Sequence, residues 1–390
     1  MRPAQRLNGM TQSVIREMTR LSLAYNAINL SQGFPDFAAP TPVKEAAVRA
    51  IEADQNQYTV TWGLPPLRRA IADKVNRRYG MVVDPEVHVT VTCGVTEALL
   101  ATFMAILDPG DEVIILEPFH EGFPPAALFA GAKPVYVALE PPDFLIDPDR
   151  LRRAFSPRTR AILINTPHNP TGRVFTREEL NAVAELCQEF DVLAVTDEIY
   201  EHIVYEGHHI PLATLPGMAD RTITLGGFGK TFAVTGWRLG YAIAPEPWSA
   251  ALRTVHDFAS ICAPVPLQAA AVDALTLPEP YYVELKAAYL ERRTRMMAIL
   301  DEAGFSAQPP QGAYYIMADF QGTGFDGTDD QFARWLVKEV GVAVVPGSNF
   351  YGTRGLGKDQ VRFAYPKRLE TLDAAAERLR VGLKKFRVAV

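Results

Sequence analysis

The sequence predicts an α/β protein in which a large unit, with a mostly parallel sheet flanked by helices, is joined to a smaller α+β unit. Three observations carry this expectation. Short apolar runs rich in β-branched residues alternate with helical segments from about residue 87 to residue 245, the rhythm of βα repeats. The runs lack a polar alternation, as strands buried on both faces do. After about residue 285 the texture changes to a long charged helix followed by a separate set of strands.

The first 40 residues carry no βα rhythm and are assigned to the small unit. The division is therefore 41–285 for the large unit, with 1–40 and 286–390 forming a discontinuous small one. Strands are expected at 88–92, 113–117, 134–139, 161–165, 193–197 and 222–226. Between them, EALLATFMAIL reads as an apolar helix stopped by Asp108-Pro109-Gly110, and PAALFAGA as a shorter one. Thr176 and Glu179 have the spacing of a capping box, opening a third helix. Beyond residue 285, YVELKAAYLERRTRMMAILDEAG and DDQFARWLVKEVG read as helices, and AYYIMADF, VAVVPG and VRFAYP as strands.

Composition narrows the function. The 390 residues hold 39 Lys+Arg against 45 Asp+Glu, a net charge of −6. That excludes binding to nucleic acid through bulk positive charge. Hydrophobic residues make up 48% and charged residues 22%, as in ordinary globular enzymes. The three cysteines, Cys93, Cys187 and Cys262, form no CxxC motif and point to a reducing compartment and no metal site. Residues 1–18 lack the apolar core of a signal peptide, and no segment is apolar enough to span a membrane. The expected location is cytoplasmic.

Open α/β sheets bind ligands beyond the carboxyl ends of their strands. The polar residues at those ends are Gly94 and Val95 at a helix start, His120, Asn169, Asp197 with Tyr200, and Lys230. Gly229-Lys230-Thr231 is not a P-loop, because Thr224 stands where that motif needs glycine, and Phe232 breaks a dinucleotide fingerprint. The inventory suits pyridoxal 5′-phosphate, which needs a lysine, an acidic partner for its ring nitrogen and a phosphate site. Lys230 would supply the amine and Asp197 the carboxylate. Asn169 and Tyr200 would bond the ring's phenolic oxygen. Gly94 and Val95 would offer backbone N–H groups to the phosphate where the helix dipole assists, with Arg238 as a bidentate partner. Arg362 would clamp a substrate carboxylate. The bland alternatives are a solvated lysine, a helix-capping aspartate, turn chemistry at Asn169, and structural arginines.

The ordered set INLSQGFPDF, NQYTVTWGLPPLR, TCGVTEAL, PHNPTG, TDEIY, GKTFAVTGWRLGY, VVPGSNFYG and VRFAYP resembles the class I pyridoxal-phosphate aminotransferases. It is most similar to the branch holding the kynurenine/glutamine and methionine aminotransferases. The resemblance implies Lys230 as Schiff-base lysine and proton shuttle. It also implies that Tyr58 reaches the phosphate from the other subunit of a homodimer, and that the Gly33 backbone and Asn169 assist Arg362 at the substrate carboxylate. Three positions depart from the family pattern. Gly227 and Gly229 replace serines before the lysine. His120 stands at the ring-stacking position, where the family has Trp, Tyr or Phe, and is expected to be neutral. Thr96 and Ile261-Cys262 occupy pocket positions that often carry bulkier or polar residues. With no second arginine evident for a dicarboxylate, neutral or aromatic amino acids are favoured. The alternatives are the same cofactor with C–S lyase, decarboxylase or oxidase chemistry, or a non-catalytic pyridoxal-binding regulator.

Overall fold

The computed structural model describes residues 4, 7, 10 and 12–389, with side chains to Lys384. The expectation of no signal peptide at 1–18 therefore falls partly outside the described residues. A seven-stranded sheet runs in the order Val89–Thr92, Gly240–Ile243, Thr222–Gly227, Leu193–Asp197, Thr159–Asn165, Glu112–Glu117, Lys133–Ala138. Six strands point the same way. Gly240–Ile243 lies antiparallel between Val89–Thr92 and Thr222–Gly227, a strand that the sequence reading did not separate from the TGWRLGY motif.

Alternate residues of the sheet bury on opposite faces. Ile114, Leu116, Ile162 and Ile164 pack with Leu180 and Val183, whereas Val113, Ile115, Leu163 and Val195 pack with Phe103 and Ala127. Covering both faces explains the unbroken apolar runs. The exception is Lys133–Ala138, expected to be buried on both faces: as the edge strand it is largely half-buried, with Lys133 exposed. The capping box forms as expected, the Glu179 N–H donating to Thr176 Oγ1 at 3.2 Å and the Thr176 N–H to Glu179 Oε2 at 2.9 Å.

A second, antiparallel sheet runs Val345–Pro346, Gln360–Ala364, Tyr315–Asp319, Ser306–Ala307. Helices Glu279–Ala303 and Leu369–Ala389 pack on each other beside it. The single strand expected over VAVVPG is divided. Val342–Ala343 pairs in parallel with Ile28–Asn29, and only Val345–Pro346 joins the four-stranded sheet. The helix expected over DDQFARWLVKEVG is regular for Asp329–Trp335 and then loosens into a π-type turn over Leu336–Val340. The core around the second sheet takes Met18 and Leu30 from the N-terminal segment, and also Tyr200, Ile203 and Tyr205 from the loop after Leu193–Asp197. That loop, and the N-terminal segment, bring the two sheets together over one set of strand ends. Among the described residues no helix is long and apolar enough to cross a membrane.

Candidate active site

Strand direction places the expected groups along one edge of the seven-stranded sheet. Asp197 closes its strand, Asn169 and His120 follow theirs by a few residues, and Gly94 leads from Val89–Thr92 into helix Val95–Ile106. Lys230 lies three residues beyond Thr222–Gly227.

The Lys230 amine donates to the Gly33 carbonyl at 3.1 Å. It lies 5.8 and 5.6 Å from the ring centres of Tyr200 and Tyr314. Tyr314 Oη donates to the same Gly33 oxygen at 2.9 Å, and the hydroxyls of Tyr200 and Tyr315 are 2.9 Å apart. A Cβ on Gly33 would sit 2.0 Å from Tyr315 Oη, so only glycine lets the N-terminal segment approach this closely.

Arg362 is buried. Its Nη1 donates to Asn169 Oδ1 at 3.0 Å and its Nη2 to the Ser31 carbonyl at 2.6 Å. The guanidinium carbon lies 4.3 Å from the Tyr315 ring centre and 4.7 Å from that of Phe350. Its Nε has no partner. Burial holds the guanidinium below its usual pKa, opposed by the tyrosines and Glu121. A buried unpaired donor costs roughly 1–3 kcal/mol, and a carboxylate arriving there would satisfy it.

Asp197 is buried, and its carboxylate accepts the Ile199 N–H at 3.2 Å. Burial pushes its pKa up to about 7, against the pull of that N–H and of Lys230. Such a carboxylate lacks a strong positive partner. His120 accepts the Gly122 N–H on Nδ1 at 3.1 Å. Because an amide must donate, this nitrogen carries no proton, leaving Nε2 as the N–H of a neutral ring. Burial pushes the His120 pKa down to about 4; Glu121 opposes this, while Arg362, Lys230 and Arg16 add to it.

At the far end of the group, a Cβ on Gly94 would lie 2.6 Å from Arg238 Nη2. The bare glycine and the guanidinium thus face each other at a helix N-terminus. Arg238 donates through Nη1 to the Thr235 carbonyl at 3.1 Å. Thr96 stands on this side of the site, its hydroxyl 3.5 Å from Arg238 Nη2, rather than beside Arg362. At Gly227 a Cβ would meet Ile199 Cδ1 at 2.8 Å and Val95 Cγ2 at 3.1 Å, so the serine of the family pattern has no room unless Ile199 shifts. Tyr58 is 78% exposed, and no hydrogen bond or ion pair among the described residues joins it to these groups.

The sequence reading missed the Ser31 carbonyl, Tyr314, Tyr315 and Phe350. Backbone acceptors have no side-chain signature. The tyrosine pair lies in a motif already read as a strand, where an aromatic run looks like core. Pyridoxal phosphate fits the donor set: among the described residues Asp197 lacks a hydrogen-bonded cationic partner, Gly94 and Arg238 leave a cradle without Cβ, and the Lys230 amine is bonded only to the Gly33 carbonyl.

The model of the aminotransferase class I and II family matches residues 25–379. The chain belongs to that family. Such aminotransferases use pyridoxal phosphate, and this protein is a pyridoxal-phosphate-dependent aminotransferase. It is 38% identical to human kynurenine–oxoglutarate transaminase 1, the match covering 97% of both chains. It is 40% identical to a probable N-succinyldiaminopimelate aminotransferase of Mycobacterium tuberculosis over 96% of this chain and 97% of that one. The solved structure of N-succinyldiaminopimelate aminotransferase from that organism superposes with a TM-score of 0.95 at 40% identity, covering 97% and 100% of the two chains. An Escherichia coli protein described as having a methionine aminotransferase function gives a TM-score of 0.93 at 34% identity, with 98% and 100% covered. The aminotransferase fold and the class I resemblance are thus both established.

Proposed function

We propose that this aminotransferase moves an amino group from a neutral or aromatic L-amino acid to a 2-oxo acid, with Lys230 as the proton-transferring amine and Arg362 as the carboxylate clamp. The observation that carries the reading is the buried Arg362, forked between Asn169 and Ser31 with its Nε unpaired and walled by the Tyr315 and Phe350 rings. Rings around the clamp favour apolar side chains. Arg68, the other buried arginine among the described residues, is spent on Gly63, Pro85 and Glu86.

When bound, pyridoxal phosphate supplies the carbon that takes up the amino group and the ring that draws electrons from Cα. Asp197 would accept a hydrogen bond from the ring nitrogen and keep it protonated. Tyr200 and Asn169 would face the phenolic oxygen, while Gly94, Val95 and Arg238 would hold the phosphate. His120, neutral through its Nε2–H tautomer, would lie against the ring without charge repulsion. Arg362 and Asn169 would fix the substrate carboxylate, which decides which Cα bond faces the ring. Lys230 Nζ would take the Cα proton, and Gly33 and Tyr314 orient that amine. Arg362 and Lys230 are held by backbone carbonyls two residues apart, those of Ser31 and Gly33, which keeps them close enough for one amino acid to reach both.

We also propose the division into 41–285 and 1–40 with 286–390, a homodimer in which Tyr58 completes the phosphate site of the other subunit, and a cytoplasmic location. The exposure of Tyr58 and the three unpaired cysteines support the last two. The test is a screen of L-amino acids against 2-oxoglutarate and pyruvate with both oxo-acid products followed. Turnover of aromatic or neutral donors that depends on the acceptor, and is abolished by Lys230→Ala, is expected. Turnover confined to dicarboxylic or basic donors would refute the substrate class, and ammonia release without an acceptor would refute the reaction.

A further inference from the structure

Behind the proposed phosphate cradle lies a polar cluster that none of the expected roles uses. Glu97, in the first turn of helix Val95–Ile106, accepts the backbone N–H of Cys93 and the hydroxyl of Ser260. It also lies 2.8 Å from His256 Nδ1. His256 is completely buried on helix Trp248–Ser260, and its Nε2 lies 2.9 Å from the Thr61 carbonyl.

The chemistry of these partners sets the protonation of the ring. A carbonyl only accepts, so Nε2 must carry a proton. Glu97 already receives two donors and is a carboxylate: burial would raise its pKa, but the bonds from His256, Ser260 and Cys93 pull it down. Ser260 gives its proton to Glu97, so Nδ1, facing that carboxylate, needs a proton as well. Both ring nitrogens are donors, and the ring is an imidazolium. Burial opposes that charge, but the Glu97 carboxylate and the Thr61 carbonyl outweigh it and raise the His256 pKa above 6.5. The remaining groups acting on the ring are Asp257 and Ser260 on its own helix; Cys93, beside Glu97, has a thiol that burial keeps neutral. Arg253, one turn back, is turned away to the Val89 carbonyl and Thr90.

We propose that His256, as a buried cation, is a positioning residue for the cofactor phosphate: through Glu97 it holds the Cys93–Gly94 turn in the conformation that presents N–H groups to the anion. The proposal rests on assigning the phosphate to the Gly94–Val95 turn. Removing the His256 proton changes three bonds at once. The Nδ1 lone pair faces the carboxylate, and the Ser260 hydroxyl, 3.2 Å from Nδ1, turns from Glu97 to the ring. Glu97 then keeps only the Cys93 N–H and is left as a half-buried charge beside the cradle. Phosphate binding therefore weakens as pH rises through the His256 pKa. A phosphate monoester alone does the opposite, because it gains its second charge near pH 6, so a loss on the alkaline side cannot come from the phosphate group, and a step that vanishes in His256→Gln cannot come from the ring nitrogen.

The experiment uses the dimeric or monomeric full chain, as purified, loaded with pyridoxamine 5′-phosphate, which makes no covalent bond to Lys230. Its release rate is measured from about pH 5.5 to about pH 9 in the wild type, His256→Gln and Arg238→Gln, alongside an NMR titration of the histidine rings. Release from the wild type is expected to accelerate roughly ten- to hundred-fold, the range of one hydrogen bond to a charged group, along a step that coincides with the His256 titration above 6.5. His256→Gln should release at the fast rate throughout and lack the step. The proposal is overturned if the step survives in His256→Gln, if His256 titrates at or below 6.5, or if the two proteins release equally slowly at low pH. Where Arg238→Gln alone speeds release, the phosphate assignment stands and the role of His256 falls. Where neither variant does, both fall.

Discussion

Replacing Arg362 by lysine keeps the positive charge and removes the fork, which isolates what the geometry contributes. A guanidinium carries five N–H donors; two are used on Asn169 Oδ1 and the Ser31 carbonyl, leaving three, including the unpaired Nε. An ammonium carries three. If it serves the same two acceptors it has one left, and a substrate carboxylate is held by a single bond instead of two. If it turns to the substrate, Asn169 or Ser31 loses its donor inside the protein. Either way one hydrogen bond to a charged group is lost, at about 1.5–3 kcal/mol, with a smaller packing loss against Tyr315 and Phe350. A total of about 2–4 kcal/mol lowers kcat/KM roughly 30- to 700-fold. The assay is the single-turnover rate with an aromatic amino acid, with the visible band of bound cofactor as the control. A loss below threefold, or a loss matched by faster cofactor release, would refute the assignment of Arg362 to the substrate.

Three further outcomes follow from the same geometry. Gly33→Ala places a Cβ 2.0 Å from Tyr315 Oη, and is expected to destabilise the chain by about 1–3 kcal/mol and to slow the Lys230-dependent proton transfer; an unchanged melting temperature would contradict the packing. His120 is held neutral in the native chain down to about pH 4, whereas an unfolded histidine takes its proton near 6.5. Between those values the unfolded state binds more protons, so stability falls on acidification by up to about 1.4 kcal/mol per pH unit for this group. His120→Phe should flatten the pH dependence of denaturant unfolding by about one proton in that window while transamination persists, and an unaltered slope would count against a neutral His120. Lys74 and Glu201 form a buried pair bonded to Tyr241 and Tyr79. Lys74→Met should therefore cost about 3–5 kcal/mol by stranding the carboxylate, and adding Glu201→Gln should recover most of it in thermal melts.

The legible part of the molecule is what repeats or what carries a distinctive side chain. Six of the seven strands of the main sheet announce themselves as short apolar runs, unbroken where both faces are buried and kept apolar even in the half-buried edge strand Lys133–Ala138, and the group at their carboxyl ends follows from strand direction. Gly240–Ile243 escaped because its glycine and its tyrosine sit in a motif read for Arg238, and an antiparallel insertion has no local signature distinct from a loop. The division of VAVVPG between two sheets depends on Ile28–Asn29, more than 300 residues away, and no local pattern encodes that pairing. Within the site, Lys230, Asp197 and Asn169 were legible as ionisable or amide groups at strand ends, and Arg362 as an arginine within a strand. The carbonyls of Ser31 and Gly33 were not, since any residue supplies a carbonyl and only the fold decides where it points.

Those two carbonyls have a consequence for how the chain tolerates change. The Ser31 oxygen holds Arg362, the Gly33 oxygen holds Lys230 and Tyr314, and the Phe34 oxygen holds Lys367 at 2.8 Å. Residues two apart span at most about 7 Å of backbone. The interval between the group that would grip a carboxylate and the group that would move the neighbouring proton is thus measured out by covalent bond lengths, with no side chain of residues 31–34 taking part. Apart from Gly33, where a Cβ would meet Tyr315 Oη at 2.0 Å, side chains along this stretch can drift as long as the path of the main chain is kept. Adding or removing one residue between Ser31 and Phe34 would instead rescale the interval by half its length, so this short stretch is a gauge set by its length in residues and by the bare glycine at its centre.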